Sequence, residues 1–69
     1  MSTHLDRIVD NLLNGNLTDA KRQAKRASYF GLFEHLYRHL GWSHAKAKAA
    51  VLYLKRPANA TFQAYCDAV

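Results

Sequence analysis

The most informative segment is Ser43-His44-Ala45-Lys46-Ala47-Lys48-Ala49-Ala50-Val51-Leu52-Tyr53-Leu54-Lys55-Arg56-Pro57. Ser43 is a strong helix N-cap. Pro57 stops a helix because it lacks an N–H donor and restrains the residue before it. The spacing between them predicts a helix ending at Lys55 or Arg56. Ala45, Ala47, Ala49, Ala50, Val51, Leu52, Tyr53 and Leu54 make it apolar almost all round, the pattern of a helix enclosed by others. His44, Lys48 and Lys55 form its one polar strip, with Lys46 apart. A central helix needs neighbours with apolar stripes, and the flanking sequence supplies them.

Upstream, a third helix is predicted from Ser28 or Leu32 to Leu40, ended by Gly41. Leu32, Phe33, Leu36, Tyr37 and Leu40 form its core face, and Glu34 and Arg38 are spaced to pair. Gly31 either breaks or kinks the join with the helix before it. Downstream, Asn59 caps a short fifth helix, Ala60 to Asp67, with Phe62, Tyr65, Cys66 and Val69 towards the core. At the N-terminus, Leu5, Ile8, Val9, Leu12 and Leu13 fall on one stripe of a helix from His4 to Asn14. Thr3 is its N-cap and Gly15 suits its left-handed C-terminal position. The second helix follows Thr18 as N-cap. Its inner face is only Ala20, Ala24 and Ala27, so Leu17 and Phe30 at its flanks must hold it. Trp42 either plugs the junction of helices three and four or anchors a partner at the surface.

With one proline, three glycines and no alternating segment, the expected fold is all-α. It is a compact bundle of four to five short helices, helix four central, in one domain over residues 1–69. Sixty-nine residues, with eleven alanines among the apolar ones, fill one small core and leave little room for a substrate cleft. Ser28, Ser43 and Thr18 read as helix caps, Glu34 and His35 point about 100° apart, and no glycine-rich phosphate loop occurs. The reading is of a non-enzyme without cofactor. His35 and His39 share a helix face four residues apart, but no further ligand stands at a fixed spacing, so no metal site is assigned. A single cysteine, Cys66, allows no intramolecular disulfide and reads as a small core residue. There is no apolar signal core and no membrane-length run, which fits a soluble, cytoplasmic protein.

Ten Lys and Arg against five Asp and Glu give a net charge of +5. The excess lies in the middle of the chain: from Ala20 to Arg56, Glu34 is the one acid. The sharpest local feature is Lys21, Arg22, Lys25 and Arg26, which cover about 140° of one helix face. Tyr29 joins that arc if the helix persists. Such a face suits phosphate contact, with the aromatic ring stacking on a base. Its competitor is the ordinary solvated face of an amphipathic helix. Like charges at Lys21–Lys25 and Arg22–Arg26 lift the functional reading. Arg38 and Lys46 are possible extensions. A second candidate is a helix-turn-helix spanning Phe33 to Lys46. Leu36, Leu40, Gly41 and Trp42 match that pattern, whereas Tyr37 and the apolar fourth helix depart from it.

The segment from Leu12 to Arg26, then Gly41-Trp42-Ser43, Tyr53-Leu54-Lys55 and Phe62-Gln63-Ala64, resembles small all-helical proteins of phages, plasmids and other mobile elements. That resemblance implies an anti-defence inhibitor, anti-CRISPR proteins included, or a small regulator. It carries no functional residues. The expected function is inhibition by occlusion, the basic face docking on nucleic acid or on an acidic protein or ribonucleoprotein surface. The alternative is a helix-turn-helix transcriptional regulator. The expected state is monomer or homodimer.

Overall fold

A computed structural model of the protein describes residues 4–68. Five α-helices succeed one another: α1 His4–Leu13, α2 Leu17–Ala24, α3 Tyr29–Glu34, α4 His44–Lys55 and α5 Asn59–Asp67. A π-helical turn, His35–His39, continues α3 without a break. Among the described residues there is no strand, so the protein is an all-α bundle. Its radius of gyration is 10.7 Å.

Helix α4 is central. It packs on α2, α3, the π turn and α5, and buries Ala47, Ala50, Val51, Tyr53 and Leu54. It opens as its sequence requires, with the Ser43 Oγ accepting the Lys46 N–H at 3.2 Å. It closes at Arg56, which leaves the helical conformation at φ −135°, ψ 71° ahead of Pro57. Ile8, Val9 and Leu12 of α1, Ala20 and Ala24 of α2, and Leu32 and Leu36 complete the core. The alanines let α2 approach its neighbours closely. Asn11 Nδ2 donates to Gln23 Oε1 at 3.0 Å, tying α2 to α1. Gly15 and Gly41 both take positive φ, 82° and 71°, so each turn uses a conformation that costs other residues free energy.

Several boundaries and faces differ from expectation. Helix α1 ends at Leu13 rather than Asn14. Its predicted cap, Thr3, and the fifth helix's Val69 lie outside the described residues. Helix α2 starts at Leu17, not after Thr18, and Asn16 before it makes no side-chain cap. It ends at Ala24, so it does not run on to Tyr29. The chain turns instead, and Ser28, in extended conformation, caps α3 by accepting the Gly31 N–H at 2.9 Å. Gly31 therefore neither breaks nor kinks the join. It lies in the first turn of α3, where an added Cβ would sit 2.8 Å from the Ser28 Oγ.

Leu13 is 62% exposed, because α1 packs chiefly on α2 and this residue falls at the edge of a narrow contact stripe. Phe30, expected to flank α2 in the core, is 71% exposed, because the new start at Ser28 turns it outward. Tyr37 and Leu40 are also exposed. They lie in the widened turn and the bend after it, where the Leu40 N–H bonds five residues back to the His35 carbonyl. There the spacing of an α-helix no longer selects the core side. Phe62 and Cys66 are exposed, since α5 covers α4 from one side only and buries Tyr65 in part. Helix α5 begins one residue early, at Asn59. The Thr61 hydroxyl, not Asn59, orders its start by accepting the Ala58 N–H at 2.9 Å. Trp42 packs half-buried on the core and carries the Lys46 ammonium 4.2 Å from its ring centroid.

Tyr65 stacks on Tyr53 with centroids 5.8 Å apart. Burial raises the Tyr65 phenol above its ordinary 10.0, with smaller contributions from Cys66 and Tyr53. The folded state thus favours the neutral phenol. The stability it contributes is complete below pH 10 and is lost as pH rises through the raised value. Denaturant titrations between about pH 9 and 11 are expected to show the wild type losing stability more steeply than Tyr65→Phe.

Candidate nucleic-acid interface

The end of α2 is set by a side chain from α4. Lys55 extends beneath the turn after α2, and its Nζ donates to the carbonyls of Ala24 at 3.1 Å and Ala27 at 2.5 Å. A cation at a helix C-terminus opposes the negative end of its dipole, and here it adds to the Ala24 carbonyl's bond from the Ala27 N–H at 3.0 Å. The same ammonium lies 5.3 Å from the centroid of the Tyr29 ring. Arg56 Nε donates to the Tyr29 hydroxyl at 2.9 Å. Lys25 and Arg26, both exposed, occupy the turn that wraps Lys55.

The result is a basic corner made from three places in the chain: Lys25 and Arg26 after α2, Tyr29 at the start of α3, and Lys55 and Arg56 at the end of α4. The ion pairs among the described residues involve Arg22, His35 and Arg38, so none neutralises the corner. Lys55 also holds the fold. Lys55→Met keeps the aliphatic stem but removes two charge-assisted hydrogen bonds. It is expected to cost about 2 kcal/mol, a fall of about 8–16 °C in Tm, readable by thermal circular dichroism.

The residues expected to form one face are thereby divided. Lys25 and Arg26 lie exposed in the turn whose flanking carbonyls Lys55 binds, and Tyr29 follows at the start of α3. Tyr29 thus belongs to its own helix, not to an extension of α2. Lys21 is half-buried with its ammonium 5.5 Å from the Tyr53 ring centroid, on the side of α5. Arg22 is paired with Asp19 at 2.6 Å. Arg38 is paired with Glu34 at 2.7 Å, beside His35 and His39. Lys46 is held over Trp42.

Lys55, Arg56 and Phe30 were not among the expected site residues, and Lys48 was expected only as part of the helix-turn-helix. One signal for the first two was present, a Lys-Arg pair just before the proline that ends a helix. Adjacent to the corner, α3 and α4 leave an open groove of about 420 Å³ lined by Tyr29, Phe30, Phe33, His44, Lys48 and Val51, with Leu52 at its edge.

The histidines sit elsewhere. His35 is mostly enclosed, its side chain 11% exposed, with Nε2 3.1 Å from Asp6 Oδ1. It stacks on His39 at 4.9 Å between ring centroids. The π turn directs His35 towards α1. Among the described residues no three His, Cys, Asp or Glu side chains gather as metal ligands. As a helix-turn-helix reader, α4 would present a narrow strip, since of its twelve residues His44, Ala45, Lys48 and Leu52 are exposed. No described helix is long and apolar enough to cross a membrane. Comparison with known proteins yields no matching family model, curated protein or solved structure.

Proposed function

We propose that this chain is a small non-enzymatic binding protein that docks through its basic corner on nucleic acid, free or within a nucleic-acid-handling complex, and acts by occlusion. The observation that supports this reading is that Lys55 and Arg56 both engage Tyr29, next to the turn that carries the exposed Lys25 and Arg26. Cations held close together repel, and a fold that gathers them without carboxylate partners gains when a polyanion binds. Tyr29, fixed by Arg56 and still 42% exposed, adds a ring on which a base can stack. In the mobile-element setting that the sequence resemblance implies, such docking would serve an anti-defence, anti-CRISPR-type inhibitor.

The deciding experiment is capture from host lysate with and without nuclease, at low and high salt. Salt-sensitive recovery of nucleic acid or of a ribonucleoprotein machine supports the reading. Salt-insensitive recovery of protein alone, unaffected by nuclease, overturns it. A second reading, duplex recognition by α4 as part of a helix-turn-helix, draws on the Ser43 cap and the positive φ of Gly41. It requires sequence-specific binding to a two-fold operator, lost on changing His44, Lys46 or Lys48. Equal affinity for unrelated duplexes rejects it.

A further inference from the structure

The groove between α3 and α4 is apolar, aromatic and cationic at once. The Phe30 ring is 71% exposed and has no aromatic partner among the described residues. Phe33 and His44 close the inner end, edge to face with centroids 5.1 Å apart. Lys48 stands exposed on the lip, and no carboxylate lines the groove. At the other end is Tyr29, the same side chain that Lys55 and Arg56 hold at the basic corner. Groove and corner are therefore one continuous surface, rings beside cations, with Tyr29 shared between them.

We infer that this groove receives unstacked bases of a single-stranded polynucleotide whose phosphates lie along Lys48 and the basic corner. The inference rests on the function proposed above and specifies the form of the nucleic acid. A duplex keeps its base faces stacked inside and offers the surface mainly phosphates, which leaves Phe30 bare. A single strand offers π-faces and phosphates alternately, matching exposed rings interleaved with cations. An acidic peptide would satisfy the cations but present carboxylates and aliphatic groups where the groove offers ring faces. The volume of about 420 Å³ lies within the range of sites that enclose small ligands, about 300–1,000 Å³.

The test is fluorescence anisotropy at about 100 mM salt with three labelled probes. These are an oligodeoxyuridylate and an oligouridylate of about fifteen nucleotides, and a mixed-sequence duplex of equal length. Both single strands are expected to bind at least about tenfold more tightly than the duplex. Phe30→Ala, at a site exposed enough to leave the fold intact, is expected to weaken them about tenfold while changing duplex binding less than about twofold. A consistent preference for one sugar identifies DNA or RNA as the natural source, and either preference supports the inference. Duplex binding as tight as single-strand binding overturns it, as does an unaltered Phe30→Ala. So does tighter, Phe30-dependent binding of a Glu/Leu-rich peptide of similar length. If Phe30→Ala is silent but reversal of the corner charges still removes binding, this inference fails and the function proposed above stands. Absence of binding to all three probes overturns the inference, and the lysate capture then decides the broader reading independently.

Discussion

Reversing Lys25, Arg26 and Arg56 together to glutamate is expected to lower affinity for single-stranded polynucleotide by at least about a hundredfold near physiological salt, with helical circular dichroism unchanged. The three side chains are exposed. Their work in the fold is slight, confined to the Arg56–Tyr29 hydrogen bond. Lys55 is left in place because it bonds two carbonyls of the turn after α2. The matched control reverses Arg22, Arg38 and Lys46, which carries the same change in net charge. These side chains are already engaged by Asp19, Glu34 and Trp42. If general charge were responsible, both triples would fail equally. If the corner is responsible, the control retains most of its affinity. Salt gives a second readout. With Lys25, Arg26, Lys48 and Arg56 each neutralising a phosphate, log affinity is expected to fall against log salt with a slope of about −3 for the wild type. Loss of three of the four brings it to about −1.

The largest expected effect on folding comes from Leu54→Ala. Leu54 is 1% exposed on the helix that touches most of the others, so its removal leaves a cavity that neighbours on several sides cannot close together. Such substitutions cost about 2–5 kcal/mol. A core of this size supplies a net stability of about 3–5 kcal/mol. The variant is expected to be substantially unfolded at 25 °C by circular dichroism. Leu52→Ala, two residues away but 36% exposed, is the control and is expected to cost less than about 1 kcal/mol. A cooperative Leu54→Ala transition close to that of the wild type would remove α4 from the centre of the energetics.

What was legible in the sequence rests on local chemistry. Ser43 and Pro57 bound α4 because a hydroxyl cap and a missing N–H act on the residues beside them, whatever surrounds the helix. Ser28 capped α3 from one of the two predicted starts, and Glu34–Arg38 paired as their spacing allowed. The absence of alternating segments sufficed for an all-α class. The apolar-all-round character of residues 45–54 sufficed to put their helix in the middle. Apolar spacing was less reliable for single residues. It names a face of a helix but cannot say whether a neighbour covers all of it, so it points Leu13, Tyr37, Leu40, Phe62 and Cys66 towards the core, and they lie outside it.

The candidate site was legible only in part, for a related reason. Lys25, Arg26 and Tyr29 were visible as cations followed by an aromatic ring, but their arrangement was read as one continuous helical face. That helix ends at Ala24 with Lys55, thirty-one positions along the chain, bonded to its last carbonyl and to that of Ala27. A local window cannot contain that contact. The aromatic groove depends likewise on α3 and α4 lying side by side. Residue types and nearest-neighbour spacings thus settled the helices, the central place of α4 and the basic character of the middle of the chain. Long-range packing settled where α2 stops, which cations are already engaged and which ones meet around Tyr29. Caps and periodicities act over one or two turns, whereas a surface is assembled from segments that meet only when the chain has folded.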